Sequence, residues 1–121
     1  MTDIRQRFFI DASPVRGEVV HLQQSLDTIL AQRDYPPAIA ALLGEMLAGA
    51  ALLASTLKIR GRLSIQAQGQ AGLKWAMAEC SHDGEIRALA QWDEQSPLWQ
   101  TANSSVEAMQ ALGGGVLFIN I

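Results

Sequence analysis

The longest apolar run in this sequence is Ala38-Ile-Ala-Ala-Leu-Leu-Gly-Glu-Met-Leu-Ala-Gly-Ala-Ala-Leu-Leu-Ala-Ser-Thr-Leu57, in which Glu45 is the only charged residue. Its main apolar side chains recur at helical spacing, at positions 39, 42, 43, 46, 47, 50, 53 and 57. Small residues fill the other faces, and a helix that is apolar all round is normally buried on most sides. We therefore predict a long helix that packs against a sheet on one side and a further element on the other.

The pattern after this helix changes to a period of two, which is typical of strands with one face in the core. Residues 62–68 alternate polar and apolar side chains. Residues 73–80 place Trp75 and Met77 on one face and alanines on the other, and residues 85–92 follow an Asp-Gly turn that favours a hairpin. We therefore predict an antiparallel meander of three strands.

Shorter elements are predicted upstream of the long helix. Aromatic and β-branched residues indicate a strand at residues 5–11 and favour a second at residues 15–20. Apolar residues at helical spacing indicate a helix at residues 23–33. The sequence Asp34-Tyr-Pro-Pro37 ends that helix, because proline disfavours the α conformation of the residue before it.

Downstream of the meander the sequence predicts a loop, a short helix and a last strand. The loop covers residues 95–103, and Ser104 and Glu107 have the capping-box spacing that opens a helix. Gly113 suits the end of this helix, and residues 116–121 form an apolar final strand. Because the chain stops inside that apolar run, we expect it to be a fragment of a longer protein.

Length and composition narrow the class of protein. The chain has 121 residues, of which 49% are apolar and 17% charged, so we expect one domain with a packed core. The fold class is predicted as α+β, a mostly antiparallel sheet packed by a long apolar helix and shorter helices. A net charge of −3 argues against nucleic-acid binding. One cysteine excludes an intrachain disulfide, and the absence of a signal sequence predicts a cytoplasmic location.

The apolar run is also long enough to cross a bilayer. A core helix is favoured, because alanine and glycine dominate it, Glu45 lies inside it and the neighbouring strands have the pattern of a soluble sheet. No membrane partner is therefore expected. A second alternative is that part of this helix binds apolar clients or another subunit.

Cys80, His82 and Asp83 are the neighbouring residues whose chemistry could support a metal site or an activated thiolate. A metal site needs three or four converging ligands, and a catalytic thiolate needs a base held by a third group. Neither arrangement is complete here, and no nucleotide-binding motif occurs. We therefore predict no metal, no cofactor and no catalytic residue, with a small Cys/His-dependent enzyme left as the lesser alternative.

Four stretches occur in an order and spacing that form a specific combination. They are Val15-Arg-Gly-Glu-Val-Val20, Asp34-Tyr-Pro36, Leu52-Leu-Ala-Ser-Thr-Leu-Lys58 and Gly61-Arg-Leu-Ser-Ile-Gln-Ala-Gln-Gly69. Together they resemble the redox-regulated bacterial heat-shock holdases of the thirty-three-kilodalton chaperonin family. The resemblance covers essentially the whole chain, whereas members of that family are more than twice as long.

The resemblance implies that residues 1–121 are the N-terminal part of the substrate-binding and dimerisation domain of a cytosolic, ATP-independent chaperone. In that family a C-terminal domain binds zinc through four cysteines. Their oxidation forms disulfides, releases the metal and uncovers apolar surface. None of those cysteines is present here and Cys80 matches none of them, so the resemblance implies a chain without the redox switch.

A holdase of this kind works through apolar surface, so we expect this chain to bind unfolding proteins and to form a homodimer or a swapped oligomer. Five large apolar side chains are predicted to contact clients or a second subunit: Phe8, Met46, Leu52, Trp75 and Trp92. A core position is the alternative for each of them. A purely structural oligomerisation domain is the alternative function.

Overall fold

The computed structural model describes residues 3–12, 14–57 and 60–121. Lys58, which ends the third of the four stretches that carry the resemblance, lies outside the described residues. In chain order the elements are β1 (Ile4–Phe9), β2 (Arg16–His21), α1 (Gln23–Leu30), α2 (Pro37–Leu57), β3 (Arg62–Gln68), β4 (Leu73–Ser81), β5 (Ile86–Trp92), a 3-10 helix (Pro97–Gln100), α3 (Ser105–Gln110) and β6 (Val116–Asn120). The predicted α+β class is confirmed.

The strands form two antiparallel sheets. β1 and β2 pair as a hairpin, in which Ile4 lies opposite His21 and Phe9 lies opposite Arg16. The other four strands form a sheet in the order β5-β4-β3-β6. The predicted meander is confirmed as β3, β4 and β5, and β6 returns to pair antiparallel with β3 on its other side.

The long helix α2 lies across one face of the four-stranded sheet. Three of its large side chains, Ile39, Leu43 and Leu47, are fully buried in the core that the helix forms with the strands. A Cβ atom at Gly49 would lie 3.5 Å from the Ile65 Cδ1 atom, so the helix backbone runs close to β3. By length and composition α2 could cross a membrane, but in this structure it is the core helix of the sheet.

Two predictions of local structure differ from the structure. Helix α1 ends at Leu30 rather than at residue 33, and residues 31–34 form a turn. The segment predicted as a loop contains the 3-10 helix Pro97–Gln100, where Ser96 Oγ accepts a hydrogen bond from the Leu98 N–H at 3.4 Å. Trp99 in this turn is buried, and its Nε1 donates to the Asp93 carbonyl oxygen at 3.0 Å.

The turn between α3 and β6 sets the position of the last strand. The predicted cap is confirmed, since Ser104 Oγ accepts a hydrogen bond from the Glu107 N–H at 3.3 Å, and Gly113 has a φ of 66°. A Cβ atom at Gly115 would lie 1.8 Å from the Gln68 carbonyl oxygen. Only glycine therefore fits where the chain enters β6 beside β3.

Candidate functional site

Cys80 and His82, both within the described residues, are not arranged as a catalytic pair. Cys80 is 1% exposed, and burial raises the pKa of its thiol above the ordinary value of 9.0. His82 lies on an exposed turn, where its Nδ1 is 3.2 Å from the Gly61 backbone nitrogen. An activated thiolate needs a lowered pKa and a base beside it. The structure therefore does not support catalysis by Cys80.

Zinc, which the family resemblance implies for longer proteins, does not fit the residues present. A structural zinc site needs four converging ligands, usually thiolates and imidazoles. The chain has one cysteine, and it is buried as a neutral thiol. Within residues 3–12, 14–57 and 60–121, no three His, Cys, Asp or Glu side chains are grouped so that they could hold a metal ion.

Exposed apolar surface is the most unusual property of the structure. Thirteen large apolar residues are exposed among those described. Six of them lie in the N-terminal hairpin, which we define as residues 4–21, and four lie in residues 116–121. Because soluble monomers rarely expose large contiguous apolar patches, these two segments are candidate binding surfaces.

Both strands of the N-terminal hairpin carry exposed apolar side chains. Phe9 is 71% exposed and Phe8 is 47% exposed. The Phe8 ring lies over Gly17, its partner on the opposite strand, so closely that a Cβ atom there would be 2.2 Å from the ring Cζ atom. An aromatic ring covering a strand glycine protects the pair, so part of Phe8 packs within the hairpin and the rest faces solvent.

Two carboxylates attach the hairpin to the rest of the molecule. Glu18 accepts hydrogen bonds from Ser55 Oγ at 2.7 Å and Arg7 Nε at 3.1 Å, and these donors lower the pKa of the Glu18 carboxyl. Asp3 accepts hydrogen bonds from the backbone N–H groups of Gln24 and Ser25 at the start of α1. The hairpin is thus attached at its base and near the end of α2.

Apolar packing beneath the hairpin is incomplete. An open cleft of about 220 Å³ lies beneath the hairpin. It is lined by Ile4 and Val20 of the hairpin and by Ala51, Cys80 and Ile86 of α2, β4 and β5. A two-stranded hairpin has little stability of its own in water. The attachment through Asp3 and Glu18 is therefore important for holding it in place.

The side of the four-stranded sheet opposite α2 is a second surface with large apolar side chains, which lie among polar ones such as Gln66 and Gln91. This surface, here called the open sheet face, carries Trp75, Met77, Leu89 and Phe118. Leu89, Met77 and Phe118 lie in one row across the sheet, joined through Gln66. All four side chains are half-buried, and in the part of the chain that the structure describes the helices pack on the other face.

The five predicted contact residues are divided between the surface and the core. Phe8 is exposed on the hairpin, Trp75 is half-buried on the open sheet face, and Leu52 is half-buried on α2. Met46 and Trp92 are only 7% and 9% exposed, which corrects the expectation that they lie at the surface. Contact with clients stays a prediction for all five.

The burial of Met46 and Trp92 has a clear structural reason. Met46 lies among the core residues of α2. Trp92 lies on the helix-covered side of β5, where its ring is 5.3 Å from the Tyr35 ring and 4.8 Å from the Arg33 guanidinium. The exposed residues of β6 were not among the predicted contact residues. The uninterrupted apolar run at residues 116–119 could have indicated them, because it places apolar side chains on both faces of one strand.

Comparisons with known proteins agree with these observations. Residues 3–120 match the family model described as Hsp33 protein. The chain is 40% identical over all 121 residues to the 33 kDa chaperonin of Ectopseudomonas mendocina (strain ymp), and covers 39% of that protein. It is 47% identical over 77% of its length to the 33 kDa chaperonin of Pseudomonas savastanoi pv. phaseolicola (strain 1448A / Race 6), and covers 31% of it. The chain thus spans about a third of the length of these curated relatives.

Proposed function

The chain belongs to the Hsp33 protein family, and from this premise we propose that it is the N-terminal part of the substrate-binding and dimerisation domain of an ATP-independent chaperone. It binds unfolding proteins through apolar surface and holds them against aggregation caused by heat or oxidation. The relatives that it matches are named 33 kDa chaperonin, which supports a chaperone rather than an enzyme.

The observation that carries this proposal is the concentration of exposed apolar residues in the N-terminal hairpin and at residues 116–121. Apolar contact contributes roughly 25 cal/mol per Å² of buried surface and has no directional requirement. Such a surface binds exposed apolar segments of unrelated sequence, as a holdase must. The open sheet face adds Trp75, whose large ring supplies contact area at a small entropy loss.

The proposed activity does not depend on a redox switch in this chain. The only cysteine is buried and its thiol has a raised pKa, so it is a poor nucleophile for disulfide exchange. The apolar residues of the hairpin and of β6 are exposed without any oxidation step. We expect peroxide or a thiol reductant to change the activity by less than about twofold.

The partners proposed for this chain are unfolding client proteins and a second copy of itself, in the cytoplasm. The net charge of −3 supports neither nucleic-acid binding nor attraction to an acidic membrane surface. Half of the apolar stretch of the long helix α2 is buried inside the fold, which supports a core role over a membrane role.

Light scattering of a heat-unfolding client tests the proposal. The chain is added without ATP and without zinc, and a compact protein of equal mass concentration serves as the control. We expect scattering to fall as the chain concentration rises, and a hydrophobic dye to bind the chain alone. Unchanged client scattering together with no dye binding would contradict the proposal.

A further inference from the structure

We propose that the N-terminal hairpin is a hinged lid. It covers an apolar floor formed by α2, β4 and β5, and when it opens, an apolar segment of a client takes its place on that floor. Because the lid regulates client binding, this inference rests on the proposed function. The hairpin has three features that suit a lid, which are little apolar packing beneath it, polar attachments and a connection of one residue to the next element.

The hairpin packs little apolar surface against the rest of the molecule. Every residue of β1 is exposed. Among the described residues of the hairpin, Val20 is the apolar side chain that packs against the core. In the same part of the chain, β1 and β2 form a sheet of their own, separate from the four-stranded sheet. A segment with so few apolar contacts opens at a lower cost than the core does.

The attachments of the hairpin are hydrogen bonds to carboxylates at the surface. Glu18 accepts from Ser55 Oγ at 2.7 Å, near the end of α2. Asp3, directly before the hairpin, accepts from the backbone N–H groups of Gln24 and Ser25 at 3.0 and 3.2 Å. When the hairpin opens, these groups exchange their partners for water, so little buried contact is lost with them.

Leu22 is the hinge of the lid. It is the one residue between the end of β2 and the start of α1, and its φ of −117° and ψ of 35° belong to neither element. Its side chain packs against the core, so this point stays in place while the hairpin moves. Residues at the ends of elements are where hinges absorb a change of φ and ψ.

The open cleft beneath the hairpin shows what the lid covers. Ala51 and Cys80 are 4% and 1% exposed, Ile86 is half-buried, and the cleft of about 220 Å³ reaches all three. On the hairpin side it is lined by Val20, a branched apolar side chain on an extended strand. An unfolding client presents the same kind of side chain on an extended segment, which therefore competes with the hairpin for the floor.

The lid makes part of the client surface responsive to heat. A client binds the floor only in the fraction of molecules whose hairpin is open, so its apparent affinity falls in proportion to that fraction. Opening releases ordered chain, and the entropy gained raises the open fraction as the temperature rises. This response needs no oxidation step.

The alkylation rate of Cys80 by N-ethylmaleimide reports the opening. Cys80 is the only cysteine and lies in the covered floor. At constant pH, we expect Glu18→Ala, which removes an attachment, to raise this rate about tenfold or more. Asp11→Ala removes the same charge from an exposed turn of the hairpin and should change the rate by less than about twofold. Equal rates in the two variants would overturn the lid.

The dependence of this rate on urea separates opening of the hairpin from unfolding of the whole chain. Because the slope scales with the surface that is exposed, local opening should give less than about half of the slope of global unfolding at low urea. A rate that follows the full slope of global unfolding, in the wild type and in Glu18→Ala alike, would overturn the lid.

The affinity for a fluorescent unfolded client tests what the open lid does. We expect Glu18→Ala to bind about two- to tenfold more tightly than Asp11→Ala, because more of its molecules are open. Faster alkylation with unchanged client affinity would overturn the role of the floor and leave the proposed function standing. Faster alkylation in a chain that binds no client in any variant would support the lid and reject the proposed function.

Discussion

The α2-covered part of the sheet and the outer elements, which are the N-terminal hairpin and β6, all carry large apolar residues but have very different surroundings. Leu43 and Leu47 on α2 are at most 1% exposed, whereas Leu117 and Ile119 on β6 are 58% and 52% exposed. The difference lies in whether a second layer covers the residue, because a sheet is stable when at least one of its faces is packed. The covered part therefore holds the fold together, and the outer elements are available for binding.

Two tryptophans on neighbouring strands give the sharpest test of this difference. Trp92 is buried against Tyr35 and Arg33, whereas Trp75 lies on the open sheet face. We expect Trp92→Ala to lower the free energy of unfolding by about 3–5 kcal/mol. Trp75→Ala, which loses a hydrogen bond to Gln91 and half-buried surface, should lower it by about 1 kcal/mol. Urea denaturation measures both losses of free energy, and equal losses would show that the two tryptophans contribute equally to the core.

A second pair compares positions on the long helix. Leu47 is buried in the middle of α2 and Leu57 is 52% exposed at its end. Leu47→Ala leaves a cavity and is expected to lower the free energy of unfolding by about 2–5 kcal/mol. Leu57→Ala should change it by less than about 0.5 kcal/mol, as other surface substitutions do. If thermal unfolding shows the larger loss for Leu57→Ala, α2 is not the core helix.

The attachment of the hairpin is predicted to be weaker than the core. Glu18→Ala removes the acceptor for Ser55 and Arg7, and hydrogen bonds to a charged group contribute roughly 1.5–3 kcal/mol. We expect amide hydrogen exchange in β2 to become about 10- to 100-fold faster while α2 stays protected. Asp11→Ala, on the exposed hairpin turn, is the control and should change neither region.

The same attachment is expected to weaken in acid. The hydrogen bond from Ser55, with Arg7, lowers the pKa of Glu18 below its ordinary value of 4.5. A lowered pKa means that the attachment is fully stabilised above pH 4.5 and loses this contribution as the pH falls through the lowered value. Asp3, whose pKa is lowered chiefly by Ser25, acts in the same direction. In Glu18→Gln the rate of amide hydrogen exchange in β2 should depend less on pH in the acid range than it does in the wild type. An unchanged pH profile of this exchange rate would exclude Glu18 as the source of the dependence.

The smallest expected effect concerns the ion pairs at the border of the open sheet face. Arg87 and Glu79 are 3.7 Å apart, and the arginine side chain is 68% exposed. Exposed pairs of this kind contribute about 0–1 kcal/mol. Arg87→Ala should therefore change the urea midpoint only slightly, and a larger loss would show that charges hold this side of the sheet.

The periodic elements could be predicted from the sequence because their patterns are local. The helical spacing of α2 and the alternation in β3 and β4 follow from which residues share a face. These patterns placed Trp75 and Met77 together on one side of β4, as the structure confirms. The cap at Ser104 and Glu107 was equally predictable, since both residues lie within one turn of the helix.

What the sequence pattern could not supply was the partner of each apolar face. Trp92 lies in a strand with alternating side chains, as Trp75 does, and only the fold places Tyr35 and Arg33 over it. The attachment of Glu18 to Ser55 joins residues 37 positions apart, which no local pattern reveals. The 3-10 turn at Pro97–Gln100 was missed because four residues are too few to show a period.

Client binding by apolar surface, rather than by reactive side chains, is the premise of the proposed function. It is tested most directly by titrating a fluorescent unfolded client against two folded variants. One carries Phe9→Gln, Leu117→Gln and Ile119→Gln, three exposed residues of the hairpin and of β6, and the other carries Cys80→Ala and His82→Ala. We expect the first to bind the client about tenfold more weakly and the second to bind as the wild type does. Normal binding by the first variant and loss of binding by the second would show that clients do not bind through the apolar surface.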